Sequence, residues 1–262
     1  MNNVSKTLYI PLYGKALVSR KGILLRDPDA EIIWQKEGFP LKGKSASKWL
    51  AYYMAMRSSV FDRWTAEKIR EMPDAVILHL GCGLDSRVCR VDSGNARWFD
   101  IDFPAVMDQR RQHFSESENY RMLGCDVLEE RWLREVPAGA PCILVMEGIS
   151  MYLPPEELQT LLARLKDHFS RLAVLMDVYS AFAARASRWK NPINDVGVTK
   201  VYGLDDPEAL ARETGLSFTG VHDMTPEHLI AQLPPREQPL FRKLYAGRTS
   251  RKLYKLWEFS GT

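Results

Sequence analysis

The stretch AVILHLGCGLD, residues 75–85, contains a short apolar run followed at once by a glycine turn. An apolar run of this length is typical of a strand buried on both faces of a parallel sheet. Gly81 and Gly83 let the backbone turn tightly and lie in van der Waals contact with a bound group. Many strand–helix junctions use the same two glycines for geometry alone. The turn therefore predicts an α/β fold and a place for a ligand, without naming the ligand.

Further apolar runs follow the first one and alternate with helical patterns. They lie at 96–101, 120–123, 142–146 and 172–176, and 216–222 with 253–259 are typical of a final strand pair. Strands and helices in alternation predict a doubly wound, Rossmann-like α/β sheet. We expect about seven strands, mostly parallel, with an antiparallel edge strand.

The first quarter of the chain has a different pattern. Residues 1–45 are punctuated by prolines and glycines and are expected to be irregular, whereas 46–71 has large apolar residues at helical spacing. We predict an N-terminal helical cap over 1–72, on the substrate side, and an α/β domain over 73–262, packed as a single structural unit. Residues 180–205 interrupt the alternation and are the expected substrate lid.

Composition limits the possible partners. The formal net charge of +3 is too small to indicate nucleic-acid binding, and the basic stretch 242–255 is expected to be a solvated face. The four cysteines lack zinc-ligand spacing, so no metal site is predicted. No signal-peptide pattern is present, and every apolar run is too short to span a membrane. These features predict a cytoplasmic protein without membrane partners.

Acidic residues follow the second and third predicted strands, where ligands of such sheets bind. Asp100 and Asp102 lie where a carboxylate can accept the ribose hydroxyls of an adenosine, although both could instead cap the helix that begins at Pro104. Asp126 with Val127 suits an adenine, although Asp126 could also be a helix cap. Ser86 stands where the dinucleotide fingerprint needs its third glycine, which disfavours a nicotinamide or flavin enzyme.

Four segments together resemble the leucine carboxyl methyltransferase-like family, within it the bacterial O-methyltransferases of polyketide biosynthesis. They are LGCGLDSR at 80–87, FDIDFP at 99–104, CDV at 125–127 and EGISMYL at 147–153, and Arg57 with Asp62 matches the family pattern upstream. The resemblance implies a class I methyltransferase domain over 73–262. It also implies S-adenosylmethionine (AdoMet) as the cofactor and a small molecule as the methyl acceptor.

The resemblance also implies a role for each matching residue. Arg57 would pair with the methionine carboxylate of AdoMet, and Glu147 would face its amino group. Asp102 would hold the ribose, with Asp100 beside it. The remaining members of the expected cofactor site are Gly81 and Gly83 at the turn and Asp126 and Val127 around the adenine. Arg87 is expected to orient the Asp85 turn.

The acceptor end is less defined by the sequence. A carboxylate acceptor needs no general base, whereas a hydroxyl acceptor does. Tyr152 and His222 are the candidate catalytic residues, with Tyr179 a further candidate base, because each follows a predicted strand on the cofactor side. Tyr9, Tyr13, Trp189 and Tyr202 are candidates for an aromatic wall.

Three alternatives to a small-molecule O-methyltransferase remain open at this level. They are a methyltransferase of protein C-terminal carboxyl groups, a nucleotide-dependent oxidoreductase and a binding protein without turnover.

Overall fold

A single seven-stranded sheet forms the centre of the protein. The computed structural model describes residues 5–190, 193–194, 198 and 200–262. The strands are β1 (Val76–Leu80), β2 (Arg97–Asp102), β3 (Tyr120–Gly124), β4 (Pro141–Met146), β5 (Arg171–Tyr179), β6 (Ser217–His222) and β7 (Tyr254–Gly261). Their order in the sheet is β3-β2-β1-β4-β5-β7-β6.

The strand directions confirm the predicted fold class. β1 to β5 pair in parallel, and β7 pairs antiparallel with both β5 and β6. The one antiparallel strand therefore lies next to the edge, with β6 outside it. The strand order reverses between β1 and β4, because the chain runs outward to β3 and then returns to the other side of β1. Such a reversal opens a crevice at the carboxyl ends of the strands, where ligands of doubly wound sheets bind.

The sheet is covered on both faces, which explains the bare apolar runs. All five residues of β1 are buried. Ile77 belongs to the core cluster beneath the N-terminal helices, whereas Val76 and Leu78 belong to the cluster on the other face. This alternation follows from the two-residue period of a strand, since successive side chains point to opposite faces.

Helices fill the layers on the two faces. They are α1 (Tyr9–Arg20), α2 (Pro28–Glu37), α3 (Lys48–Glu71), α4 (Arg87–Arg90), α5 (Pro104–Arg110), α6 (Pro155–His168), α7 (Ala181–Lys190), α8 (Pro207–Thr214), α9 (Glu227–Ile230), α10 (Gln238–Phe241) and α11 (Arg248–Leu253). A π-helical turn, Arg242–Ala246, links α10 to the segment before α11. None of the described helices has the length and apolar content needed to cross a lipid bilayer.

The expectation of an irregular segment at 1–45 is wrong, because α1 and α2 lie there. The prolines and glycines of this segment mark helix ends. Pro11 falls in the first turn of α1, where backbone N–H groups have no intrahelical partner. Pro28 is the first residue of α2, Asp27 caps it by accepting from the Ala30 N–H at 2.9 Å, and Gly38 ends it in the left-handed conformation.

The three N-terminal helices, α1 to α3, pack on the sheet beside the glycine turn, and buried ion pairs join them to it. Arg90 on α4 donates to Asp27 at 2.6 Å and to Asp62 on α3 at 2.8 Å, and it forms an ion pair with Asp85 at 2.9 Å. Arg87 donates to Asp62 at 2.6 Å. The short helix α4 thus holds two helices of the cap against the turn that follows β1.

Replacing Arg90 by leucine should destabilise the protein by about 3–5 kcal/mol, because three carboxylates would lose a shared buried partner. The matched control is Arg63→Leu, whose exposed pair with Glu67 contributes only about 0.3–0.5 kcal/mol. Urea unfolding curves followed by circular dichroism measure both losses. Equal losses in the two variants would contradict the structural role given to Arg90.

Candidate active site

A cavity of about 790 Å³ lies at the carboxyl ends of the strands, between the sheet and the N-terminal helices. The turn after β1, the end of β2 and the segments after β3 and β4 all contribute to its wall. Seven of the eight predicted cofactor residues line it: Arg57, Gly81, Gly83, Asp102, Asp126, Val127 and Glu147. Residues from distant parts of the chain thus converge on one space at the switch point of the sheet.

The glycine turn leaves no room for side chains. Gly81 and Gly83 both have left-handed backbones, with φ of 66° and 53°. A Cβ on Gly81 would lie 2.9 Å from the side chain of Ile149, and a Cβ on Gly83 would lie 3.1 Å from that of Leu8. Ser86, in the place of the third fingerprint glycine, is buried and donates to Asp27 at 2.6 Å. Ser86 therefore helps to attach the cap.

Asp102 is half-buried and faces the cavity from the end of β2. One carboxylate oxygen accepts from the Gly83 N–H at 2.8 Å, and the other accepts from the Phe103 N–H at 2.8 Å. Burial raises the pKa of Asp102, although these two N–H groups act against that rise. No side chain caps α5 at its start. The capping alternative for Asp102 therefore does not describe this structure.

The structure does not bring Asp100 to the cavity. Its carboxylate is fully buried and accepts from Arg110, from the Tyr120 hydroxyl at 2.7 Å and from Trp98 Nε1 at 2.8 Å. Burial disfavours the ionised form, but Arg110 and His79 outweigh burial and lower the pKa of Asp100 to about 2. Asp100 lies two residues deeper in β2 than Asp102, where α5 covers it.

Arg110 has a supporting role that the sequence did not indicate. The guanidinium donates to the backbone carbonyls of Gly83 at 3.0 Å and Asp85 at 2.7 Å. The same guanidinium also pairs with Asp100, so the Arg110–Asp100 ion pair connects the glycine turn to the end of β2. No motif marks Arg110 in the sequence; only its place on the helix after the acidic strand end distinguishes it.

Asp126 and Val127 lie in the loop after β3. The Asp126 carboxylate accepts from the Leu128 N–H at 3.0 Å, which closes a local turn two residues long. The next helical turn, Arg131–Glu135, begins further on and has no side-chain cap. Asp126 therefore shapes a loop and does not cap a helix. Val127 is buried, and both residues line the cavity.

The Arg57 guanidinium contacts three other polar groups. Its nitrogens donate to Glu147 and Asp177, both at 2.9 Å, and to the Tyr254 hydroxyl at 2.5 Å. Glu147 also accepts from Arg87. Burial acts to raise the pKa of Glu147, but the two guanidinium groups outweigh it and lower the pKa to about 2.

Arg87 is fully buried and, as expected, contacts the Asp85 turn. Its backbone N–H donates to the Asp85 carboxylate at 2.8 Å, and its guanidinium lies 3.6 Å from the same carboxylate. Arg87 is absent from the residues that line the cavity.

Lys15 is a cavity residue that sequence reasoning missed. Its ammonium group is buried and lies 2.8 Å from Asp85. Lys15 comes from α1, in the segment expected to be irregular, so no pattern directed attention to it. A lysine and an arginine, each held by carboxylates, thus line the buried part of the cavity.

Of the two candidate catalytic residues, only Tyr152 reaches the cavity. Burial raises the pKa of its hydroxyl, which therefore stays protonated at neutral pH. His222 lies on β6, does not line this cavity, and pairs with Glu258 at 2.6 Å. The structure therefore separates His222 from the other predicted site residues.

Four tyrosines form a wall at the β5–β7 side of the cavity: Tyr53, Tyr179, Tyr245 and Tyr254. The rings of Tyr53 and Tyr245 have centroids 4.7 Å apart, and those of Tyr179 and Tyr254 are also 4.7 Å apart. We call these four residues the tyrosine wall. Of the residues expected to form an aromatic wall, Tyr9, Tyr13 and Tyr202 do not line this cavity. The side chain of Trp189 lies outside the described residues.

Comparison with known proteins identifies the family of this chain. The model of the leucine carboxyl methyltransferase family matches residues 5–166. The chain belongs to this family.

Two proteins similar in sequence to this chain are methyltransferases. The tetracenomycin polyketide synthesis O-methyltransferase TcmP of Streptomyces glaucescens is 31% identical over 242 residues, which cover 91% of this chain and 89% of TcmP. The S-adenosyl-L-methionine-dependent methyltransferase dpfgK of Gibberella zeae is 30% identical over 64% of this chain and 61% of its own length. The protein is therefore an AdoMet-dependent methyltransferase.

Solved structures show the same fold. The magnesium protoporphyrin IX methyltransferase ChlM of Synechocystis, solved with S-adenosylhomocysteine bound, aligns with a TM-score of 0.54 at 11% identity. The alignment covers 95% of this chain and all of ChlM.

The cavity suits AdoMet, judged from the residues that surround it. Gly81 lines the cavity and has no side chain, so a ligand can lie in van der Waals contact with its backbone. The acidic residues that line the cavity are Asp85, Asp102, Asp126, Glu147 and Glu157, against the cationic Lys15, Lys44 and Arg57. AdoMet carries a net positive charge, because its sulfonium and ammonium groups outnumber its carboxylate. An acidic excess in a concave site attracts such a ligand.

We expect Asp102→Ala to affect the binding of AdoMet and Asp100→Asn to affect the stability of the fold. Removing the Asp102 carboxylate should weaken AdoMet binding by roughly ten- to a hundredfold, because a charged acceptor contributes about 1.5–3 kcal/mol. Asp100→Asn should instead lower the free energy of unfolding by about 3–5 kcal/mol, because Arg110 would remain buried without its counter-charge. Calorimetric titration and urea unfolding measure the two effects. An AdoMet affinity unchanged by Asp102→Ala would rule out contact with the ribose.

The raised pKa of Asp102 should make AdoMet binding depend on pH. Ribose hydroxyls donate to the ionised carboxylate, so affinity should be constant well above that pKa. Below that pKa the affinity should fall by up to tenfold per pH unit. Because the pKa of Asp102 is raised, the fall should begin at a pH above 3.8, the ordinary pKa of an aspartate. Titrations between about pH 4 and pH 7 test this, with circular dichroism confirming that the protein remains folded. Asp102→Asn should remove this dependence; the same slope in both proteins would exclude Asp102 as its source.

Proposed function

We propose that this protein is an O-methyltransferase that transfers the methyl group of AdoMet to a carboxylate or hydroxyl oxygen of a small aromatic or polyketide-like molecule. The observation that carries the proposal is the two-ended cavity. An acidic end lies at β2 and β3, and the tyrosine wall lies at β5 and β7. The similarity to TcmP, a tetracenomycin polyketide synthesis O-methyltransferase, supports an acceptor of this class.

In this proposal the acidic end holds the cofactor. Asp102 accepts from the ribose hydroxyls, while Asp126 and Val127 border the adenine. Gly81 lets the cofactor lie against the backbone. Asp102 is already fixed by the two backbone N–H groups, each at 2.8 Å, so little ordering is required when the ribose arrives.

The methionine end of AdoMet meets groups of both charges. Arg57 and Lys15 supply cations for the carboxylate, and Glu147 supplies an anion for the ammonium group. Each of these side chains already has a counter-charge within 2.9 Å. Binding therefore exchanges one ionic partner for another, which avoids the cost of leaving a buried charge unpaired.

The tyrosine wall would receive the acceptor. Methyl transfer is an in-line displacement at the sulfonium methyl group, so the protein's main tasks are alignment and exclusion of water. Because the Tyr152 hydroxyl stays protonated, it would donate a hydrogen bond to the acceptor oxygen and would not act as a base. A carboxylate acceptor needs no proton removal. A hydroxyl acceptor would need a base, which neither Tyr152 nor His222 supplies; Tyr179, the further candidate, lines the cavity.

A protein C-terminal carboxyl group is the second candidate acceptor, favoured by the family to which the chain belongs. The two acceptors give different products from methyl-labelled AdoMet. Label in a small extractable product supports the proposed function, whereas label in a polypeptide supports the second candidate. Absence of any label despite AdoMet binding would indicate a binding protein without turnover.

We expect AdoMet to raise the melting temperature by mass action and NADH to leave it unchanged.

Lys15→Met should weaken AdoMet binding by about tenfold or more, since it removes a charged partner of the carboxylate. The control is Lys36→Met on α2, an exposed lysine that donates to a backbone carbonyl at 3.1 Å. Thermal shift and calorimetry measure these effects. A loss of stability in Lys15→Met with unchanged affinity would assign Lys15 to the packing of the cap alone.

A further inference from the structure

Two exposed apolar side chains line the cavity from the segments that follow β5 and precede β7. Phe182 at the start of α7 is 63% exposed, and Leu244 in the π-helical turn is 46% exposed. Both line the cavity. Exposed large apolar residues at a cavity mouth indicate a surface that a ligand or partner covers. We call Phe182 and Leu244 the lips of the cavity.

The two segments that carry the lips are strongly basic. Helix α7, residues 181–190, and the stretch 242–255 together contain nine lysines and arginines and no aspartate or glutamate. The formal charge of the chain is +3 and would be −6 without these nine residues. The basic character of the protein therefore comes from the segments that border this mouth.

Several of these cations are not neutralised by neighbours. Arg242 pairs with Glu227, and Arg251 pairs with Asp223 at 2.8 Å. Four others are exposed and form no ion pair with any residue that the structure describes: Arg185, Lys243, Arg248 and Lys252. The exposed Lys44 lines the cavity itself and also has no ion pair among the described residues. We call these five residues the acceptor rim.

Local geometry places three members of the rim, Arg185, Lys243 and Lys252, beside the lips. Arg185 follows Phe182 by three positions on α7, and residues three apart are neighbours on a helix surface. Lys243 adjoins Leu244 in the same turn. Ser250 and Leu253 line the cavity on either side of Lys252. Deeper in the cavity, by contrast, Lys15 and Arg57 are held by carboxylates.

We propose that the acceptor rim binds an anionic group of the acceptor that is not methylated, while the apolar body of the acceptor passes between the lips to the tyrosine wall. The acceptor is therefore an amphipathic anion, such as an aromatic molecule with a carboxylate or sulfonate distant from the methylated oxygen. This inference rests on the proposed function and specifies its substrate class. In this arrangement the acidic residues at one end of the cavity bind the cationic cofactor. The cationic residues of the acceptor rim, at the other end, bind the anionic acceptor.

Electrostatic capture at the rim has a characteristic dependence on salt. Exposed charges are screened beyond about 8 Å at physiological ionic strength, so the rim acts on groups that reach the mouth. Clefts edged by one sign of charge raise the local concentration of counter-charged ligands, and salt reduces this effect. Binding of the apolar body should be nearly independent of salt by comparison.

Two fluorescent probes separate these contributions. 8-Anilinonaphthalene-1-sulfonate is an aromatic anion, and N-phenyl-1-naphthylamine has the same ring system without the sulfonate. Both are titrated into the protein saturated with S-adenosylhomocysteine, so that the cofactor end is filled. The rim variant is Lys243→Glu with Arg248→Glu. The control variant is Arg97→Glu with Arg171→Glu, which changes the charge equally at the first residues of β2 and β5, away from the cavity.

We expect the rim variant to weaken binding of the anionic probe by about tenfold or more and to leave the neutral probe within about twofold. The control variant should leave both probes unchanged. Phe182→Ser with Leu244→Ser should weaken both probes, because both have the apolar ring system. Equal weakening of the anionic probe by the rim and control variants would overturn the proposal, as would equal weakening of the two probes by the rim variant.

Calorimetry with S-adenosylhomocysteine distinguishes a failure of the acceptor-rim proposal from a failure of the proposed function. Wild type, rim variant and control should all bind this ligand equally, since none of the four substituted residues lines the cavity. Loss of binding in the wild type would remove the proposed function itself. Intact binding without discrimination between the probes would remove only the acceptor rim.

Discussion

The buried guanidinium of Arg87 is the interaction on which the rest of the site depends. It donates to Asp62 on α3 and to Glu147 after β4, and it lies 3.6 Å from Asp85 in the glycine turn. Three separate parts of the chain, the cap, the turn after β1 and the end of β4, thus share one cation. A cavity between the cap and the sheet exists because this contact and those of Arg90 keep the two layers together at one end.

The buried charges of the site are paired with one another before any ligand arrives. An ionised group in the interior is tolerated only with partners and hydrogen bonds, because desolvation costs several kcal/mol per ion. Arg57, Glu147 and Asp177 satisfy one another at 2.9 Å, and Tyr254 completes the set. A ligand with both an ammonium and a carboxylate group can replace such partners one for one. This property fits the amino-acid end of AdoMet better than it would fit a simple anion.

The sheet order separates the two ends of the cavity. β2 and β3 lie on one side of β1, and β5 and β7 lie beyond β4 on the other side. Neighbouring strands are about 4.8 Å apart, so four strand spacings, roughly 19 Å, separate the acids after β3 from the tyrosines at the end of β5. Acidic residues at one end and aromatic and basic residues at the other give the two reactants different environments within a single space.

The sequence alone determined the sheet and the family, and it predicted which residues meet at the proposed cofactor end. Apolar runs, glycines and strand-end acids are local patterns, and the topology of a doubly wound sheet brings the ends of its parallel strands to one edge. For this reason Gly81, Asp102, Asp126 and Glu147 line one cavity, and their contacts with the cofactor stay a prediction. Asp100 does not reach the cavity, because it lies deeper in β2, where Arg110 from α5 and the Tyr120 hydroxyl enclose its carboxylate. Only the tertiary structure brought Lys15 and three members of the tyrosine wall, Tyr53, Tyr245 and Tyr254, to the cavity. These residues come from α1, α3, the π-helical turn and β7, and their meeting depends on how helices pack on the sheet, which no spacing in the chain records.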